Sequence, residues 1–310
     1  MANRKTGQSA TLSQGGGVTA RQRLLLGLLE AFGGSMSNQD FQKVLFLYCQ
    51  EPDSGKPYDF VPYKHGAFSF TSYADRRKLI AHGLIEDDDQ LWKLTEMGRA
   101  QSEPDMLLGG FVERIGNVRG DDLVAETYRR FPYYAIRSEI AERVLKGDRE
   151  ALARIEAGKR TPDSAPLQTV GYEGHSLESY LNLLLKSGVT VLCDVRRNPL
   201  SRKYGFSKST LSNACSNVGI RYEHLPQLGI ASEFRQDLET QDDYDALFEI
   251  YERDCLPKQT AALRTILVWI AHGERVALTC YERLPHQCHR HCAAEAVQAL
   301  SPDVAAAKHL

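Results

Sequence analysis

Apolar positions in the first hundred residues recur at helical spacing, and past residue 166 they gather into short strand-like runs. In TARQRLLLGLLEAFGG, Leu24, Leu25, Leu28 and Leu29 share one helical stripe, ended by Gly33-Gly34. SNQDFQKVLFLYCQE predicts a second helix, with Ser37 or Asn38 as its cap and Phe41, Val44, Leu45 and Tyr48 facing inward. YDFVPYKHGAFSF, interrupted by Pro62 and Gly66, reads as an extended connection. A third helix is expected from about Thr71 to His82, and LIEDDDQLWKLTEMG then reads as strand, acidic turn, strand. Helix, helix, helix and hairpin make the outline of a winged helix, a mainly α domain.

Residues 105–150 keep a helical pattern that Pro132 should break, because proline lacks an N–H donor. GKRTPDSAP, residues 158–166, collects turn formers and charges and marks a boundary. Beyond it, LQTVGYEG, VTVLCDVRR, IRYEHLP and RVALTCYE alternate with helical stretches, the last helix running from about Cys288 to Leu300. Short apolar strands separated by helices predict an α/β fold with a Rossmann-like, mostly parallel sheet covered on both faces. The chain thus divides into a flexible tail (1–17), a winged-helix-like domain (18–104), a helical connector and linker (105–166) and an α/β domain (167–310).

The 310-residue length suits two domains, and 42% hydrophobic with 25% charged residues is ordinary for a globular chain. No stretch approaches the roughly 20 apolar residues of a membrane span, and MANRKTGQSATLSQGGG lacks the apolar core of a secretory signal. Seven cysteines, an odd and scattered set, fit reduced thiols and a cytoplasmic location. A net charge of −2 leaves room for a local basic face but not for a uniformly basic surface.

In open α/β sheets, ligands bind beyond the carboxyl ends of the strands. Four polar clusters fall there: GYEGHS, DVRRNPLSRKYGFSK, EHLPQLG and CYERLPHQCHRHC. Asp194 could serve as a general base or metal ligand, or pair with Arg196. Arg196, Arg197 and Arg202, together with Lys203 and Lys208, crowd one loop and suit phosphate; Tyr204 and Phe206 could stack on a base or ribose. His224 offers a base, a ligand or a structural hydrogen bond. Cys280 closes an apolar strand, and Cys288-His289-Arg290 should open a helix whose N-terminus attracts anions and lowers a thiol pKa. Cys280 or Cys288 is then a candidate nucleophile, with Asp194, His224 and Glu282 in acid–base roles and Arg290 and His289 joining the phosphate-binding arginines. Metal binding by Cys280, Cys288 and His289 is the alternative. Cys49, Cys193, Cys215 and Cys255 read as packing residues, and Cys292 as core.

TVGYEGHSLESYL, VLCDVRRNPLSRKYGFSK, LSNACSNVGIRYEHLPQLG and VALTCYERLPHQCHRHCAAEAV, in order over about residues 167–300, resemble the domain-of-unknown-function 488 family. The positions that match its characteristic polar set are Gly171, Asp194, Arg196, His224, Cys280, Glu282, Cys288, His289 and Arg290; no catalytic assignment comes with them. FQKVLFLY, FVPYKHGAFSF and GLIEDDDQLWKLTEMGRA look like a Panacea-type winged-helix module, which implies a binding or regulatory unit. The company such modules keep extends the expectation to phage defence.

Together these features predict an enzyme acting on a phosphate-containing substrate, nucleic acid or nucleotide, positioned by the N-terminal module. The sequence does not identify a cofactor. The rivals are a non-catalytic DNA-binding or protein-binding regulator with a ligand-sensing C-terminal domain, and a sulfurtransferase-like cysteine enzyme. The acidic turn Glu86–Asp89 would be the wing tip, which speaks for a protein partner of the module.

Overall fold

The computed structural model describes residues 17–102, 106–159, 165–231, 234 and 238–310. The expected tail, apart from Gly17, and residues 160–164 of the linker lie outside them.

Helix α1 (Ala20–Ala31) starts at a reciprocal cap, in which the Thr19 hydroxyl accepts from the Gln22 N–H and the Gln22 side chain accepts from the Thr19 N–H. Strand β1 (Ser35–Ser37) leads into α2 (Asn38–Cys49), capped by Ser37. YDFVPYKHGAFSF departs from the expected extended connection. Val61–Tyr63 (β2) and Gly66–Phe68 (β3) pair as an antiparallel hairpin, closed where Gly66 takes a positive φ of 88°. Pro62 is tolerated because this two-stranded ribbon has edges on both sides. Helix α3 (Phe70–Ala81) and strand β4 (Leu91–Lys93) follow; β4 pairs with β1, and Ile85 bridges Leu94 across the acidic turn. Leu25, Leu28, Phe41, Phe46 and Trp92 are fully buried in this part's core, each side chain contributing about 1.5–3 kcal/mol by leaving water.

After α4 (Glu96–Ala100) come α5 (Met106–Ile115), α6 (Gly120–Arg130), a 3₁₀ turn at Pro132–Ala135 where the expected break occurs, α7 (Ala141–Leu145) and α8 (Arg149–Gly158).

The C-terminal part is α/β and Rossmann-like. Its strands are β5 (Leu167–Gly171), β6 (Val191–Asp194), β7 (Arg221–His224), β8 (Val276–Cys280) and β9 (Lys308–His309). All run parallel, in the order β7-β6-β8-β5-β9. Helices α9 (Leu177–Lys186) and α10 (Lys208–Asn217) pack on one face, against Val170, Leu192 and Ala277. Helices α12 (Thr260–Ala271) and α13 (Arg290–Leu300) cover the other, against Leu167, Cys193 and Leu278. Burial on both faces is why the three inner strands, β5, β6 and β8, are mostly apolar and buried along their whole length. Between β7 and α12 lie α11 (Gln241–Ile250) and a π-helical turn at Tyr251–Cys255. Cys49, Cys193 and Cys215 are buried as expected. Cys255 corrects the expectation: it is exposed on that π turn.

The two parts meet at the first turn of α3. Glu178, on α9 and fully buried, accepts from the Thr71 N–H (2.7 Å), the Thr71 hydroxyl (2.9 Å) and the Ser69 hydroxyl (3.1 Å). The Asn182 side chain donates to the Phe60 carbonyl beside it. No helix among the described residues is long and apolar enough to cross a membrane.

Candidate functional site

Strands β5, β8 and β6 lie side by side, and the site forms where their carboxyl ends open into loops. Gly171 ends β5. A Cβ there would stand 1.8 Å from the Glu282 carbonyl oxygen, so only glycine lets the loop after β8 cross so closely. Arg290, fully buried at the start of α13, then ties that loop down by donating to the carbonyls of Glu282 (2.5 Å) and Arg283 (3.0 Å).

The returning loop carries Cys288 and His289 to Cys280. The His289 Nδ1 lies 3.9 Å from the Cys280 Sγ and 4.0 Å from the Cys288 Sγ, and all three ligand atoms fall within 4.8 Å of one another. The His289 Nε2 donates to the Val195 carbonyl at 3.1 Å. A carbonyl can only accept, so Nε2 carries the hydrogen and the Nδ1 lone pair faces the sulfurs. The Cys280 thiol also donates to the Glu282 carboxylate at 3.3 Å. Burial, reinforced by neighbouring Cys280, pushes the Cys288 thiol up to about 12. Cys288 precedes α13 rather than capping it, so the activation expected from the helix N-terminus gives way to desolvation.

Above Cys280 lies a cleft of about 370 Å³ bordered by Tyr172, Arg197, Asn198, Arg202, Tyr281 and Glu282. Arg197 and Arg202 are exposed, and among the described residues neither has a hydrogen-bond or ion-pair partner.

The loop after β6 is built differently. The fully buried Asp194 accepts from the Arg196 Nε (2.8 Å), Arg196 Nη2 (2.5 Å) and the Tyr222 hydroxyl (2.6 Å). Arg196 donates further to the Tyr172 hydroxyl and the Phe206 carbonyl, both at 2.9 Å. Burial works against its charge, but the bonds to Asp194 and Tyr172 outweigh it and raise the Arg196 pKa above its ordinary value. Lys203 donates to the Tyr172 carbonyl and Lys208 to the His224 Nδ1, while the His224 Nε2 donates to the Arg196 carbonyl.

Several expectations therefore change. Of the readings offered for Asp194, the structure shows the pair with Arg196, and the carboxylate is not exposed as a base. Arg196 lines the cleft but spends its donors within the protein, and Arg290 spends its own on loop carbonyls. His289 turns toward thiols rather than phosphate. His224 has both nitrogens committed away from the cleft. Phe206 is buried and stacks on Tyr172 (4.3 Å between centroids), so it is not presented to a base, while the exposed Tyr204 donates its hydroxyl to the Phe70 carbonyl and does not border the cleft. The structure does bring together Cys280, Cys288, Glu282 and His289, with Arg197 and Arg202 at the rim. Tyr172, Asn198 and Tyr281 line the cleft without having been singled out. Tyr172 and Tyr281 each stand one residue past a strand end, the position that could have flagged them.

An all-parallel α/β unit with a cysteine–histidine cluster at its carboxyl edge is the class that fold and site define. Residues 176–297 match the family model described as Domain of unknown function DUF488. The match lies within the C-terminal part and takes in every cluster residue. No curated protein and no solved structure matches the chain.

Proposed function

We propose that the cleft above Cys280 is the active site of an enzyme acting on a phosphate-bearing substrate, a nucleotide or a nucleic-acid end. One observation carries this reading. The Cys280 thiol, 3.3 Å from the Glu282 carboxylate, sits at the floor of a cleft whose rim holds two arginines without protein partners among the described residues. Glu282 is placed to exchange a proton at the reacting centre, and Arg197 and Arg202 supply planar donor forks suited to phosphate oxygens.

The order of α1, β1, α2, α3 and β4 supports a winged-helix reading of the N-terminal part. In DNA-reading helix-turn-helix modules the recognition helix presents its N-terminal residues to base edges. Here the first turn of α3 is held by Glu178, which favours a module that binds a protein or regulates the cleft over one that reads DNA.

The test is a panel of nucleoside mono-, di- and triphosphates and short oligonucleotides, assayed for binding and for products. A substrate should be turned over by the wild type, and Glu282→Gln should keep its binding but lose turnover. Binding without turnover across the panel would leave a ligand sensor in place of an enzyme; no binding at all would remove the reading.

A further inference from the structure

The sulfur and imidazole atoms beneath the cleft stand at the long limit of sulfur hydrogen bonding and near the spacing of ligands that share one ion. The His289 Nδ1 has two thiol sulfurs as neighbours, at 3.9 and 4.0 Å, and His289, Cys280 and Cys288 are at most 2% exposed. A zinc ion bonds thiolate sulfur at about 2.3 Å and imidazole nitrogen at about 2.0–2.1 Å; at tetrahedral angles this sets sulfur and nitrogen about 3.6 Å apart. The observed spacings are wider by only a few tenths of an ångström, within reach of small side-chain rotations. The other ring nitrogen of His289 is fixed by the Val195 carbonyl, as the outer nitrogen of a metal-ligating histidine almost always is. Two thiols and an imidazole are also the soft set that zinc takes. With both thiols ionised their charges cancel that of the ion, which makes the centre tolerable where it is buried.

We infer that Cys280, Cys288 and His289 bind one soft divalent cation of the zinc class, with a fourth position open toward the cleft. Binding releases the two thiol protons to solvent as two sulfur–metal bonds form, with no change of oxidation state. Three protein ligands and an open position are the arrangement of a catalytic rather than a structural zinc site. Cys280 is then a ligand rather than a free nucleophile. That a phosphate-bearing substrate fills the fourth position rests on the reading of the cleft above; the metal site itself does not.

A second group, Glu252 on the Tyr251–Cys255 turn with His291 and Cys292 in the first turn of α13, has the His291 Nε2 3.4 Å from the Cys292 Sγ. It provides the control. The full chain, stripped with chelator, is titrated with Co²⁺ and back-titrated with Zn²⁺. The wild type should take up a single equivalent with an intense thiolate-to-cobalt charge-transfer band, abolished by excess Zn²⁺. Cys288→Ser and His289→Gln should lose the band, while Cys292→Ser and the Arg197→Ala/Arg202→Ala double variant should keep it. The wild-type spectrum stands by itself should a thiol variant fail to fold. Folded wild type that shows no thiolate band would overturn the site, as would a band lost in Cys292→Ser but kept in Cys288→Ser. Loss of phosphate binding in the arginine variant with the band intact would leave the metal site standing apart from the reading of the cleft.

Discussion

The loops after β6 and β8 leave the same edge of the same sheet from neighbouring strands, yet they end differently. After β6, Asp194, Arg196, Tyr172 and Tyr222 satisfy one another in a closed network. After β8, thiol, imidazole and carboxylate groups converge beneath an open cleft. Charge density alone would have marked the arginine-rich β6 loop as the place of chemistry. Buried charges are retained where they are paired, so the Asp194–Arg196 network is scaffold, while the exposed Arg197 and Arg202 further along the same loop and the groups converging after β8 are where a ligand or ion can be added.

If that contrast is right, breaking the closed network should cost stability first. Arg196→Ala leaves the buried Asp194 carboxylate with the Tyr222 hydroxyl and a backbone N–H, and should destabilise by about 3–5 kcal/mol. Urea unfolding measures this, and a loss below about 1 kcal/mol would mean the network is not closed. Next in size, Gly171→Ala drives a methyl into the Glu282 carbonyl and should cost about 1–3 kcal/mol or more, since backbone must move to admit it. It should disturb the β8 loop with it, whereas an unchanged melting temperature would show that the loop does not cross as described.

A smaller effect is expected where the two parts of the chain meet. Burial raises the Glu178 pKa above its ordinary 4.5. The folded chain therefore holds that proton more tightly than the unfolded chain does. The resulting stabilisation is present at acid pH and is lost as pH rises above 4.5 through the raised value. The stability of the wild type relative to Glu178→Gln should accordingly fall as pH increases across that window. Parallel stability–pH curves for the two proteins would show that the carboxyl is not buried against α3.

Much of the architecture was legible from periodicity. The helix–strand alternation, the cap at Ser37, the break at Pro132 and the parallel sheet follow from local pattern. Strand order does not, because β8 slips between β5 and β6 through contacts far apart in sequence. β9 spans only Lys308–His309, both exposed, and has no apolar run to announce it. The hairpin at 61–68 was hidden because Pro62 and Gly66 are breakers inside a strand but suit a short ribbon and its turn. At the site, the convergence of Cys280, Cys288, His289 and Glu282 could be expected from their strand-end and helix-start positions. The pair of Asp194 with Arg196 was among the readings, but the remaining bonds of Arg196 and those of Arg290 were not legible, because they reach Tyr172, the Phe206 carbonyl and the Glu282–Arg283 backbone, which only the folded chain assembles.

The smallest effect on stability should accompany the most direct effect on function. Arg197 and Arg202 are exposed, and replacing both with alanine should leave the melting temperature essentially unchanged, as for most surface substitutions. Calorimetric titration with inorganic pyrophosphate, for wild type and the Arg197→Ala/Arg202→Ala variant, then tests whether the cleft receives phosphate. Charge-assisted contacts from two guanidinium groups predict binding weakened by about tenfold or more at equal stability. Equal pyrophosphate affinity in the two proteins would contradict the account.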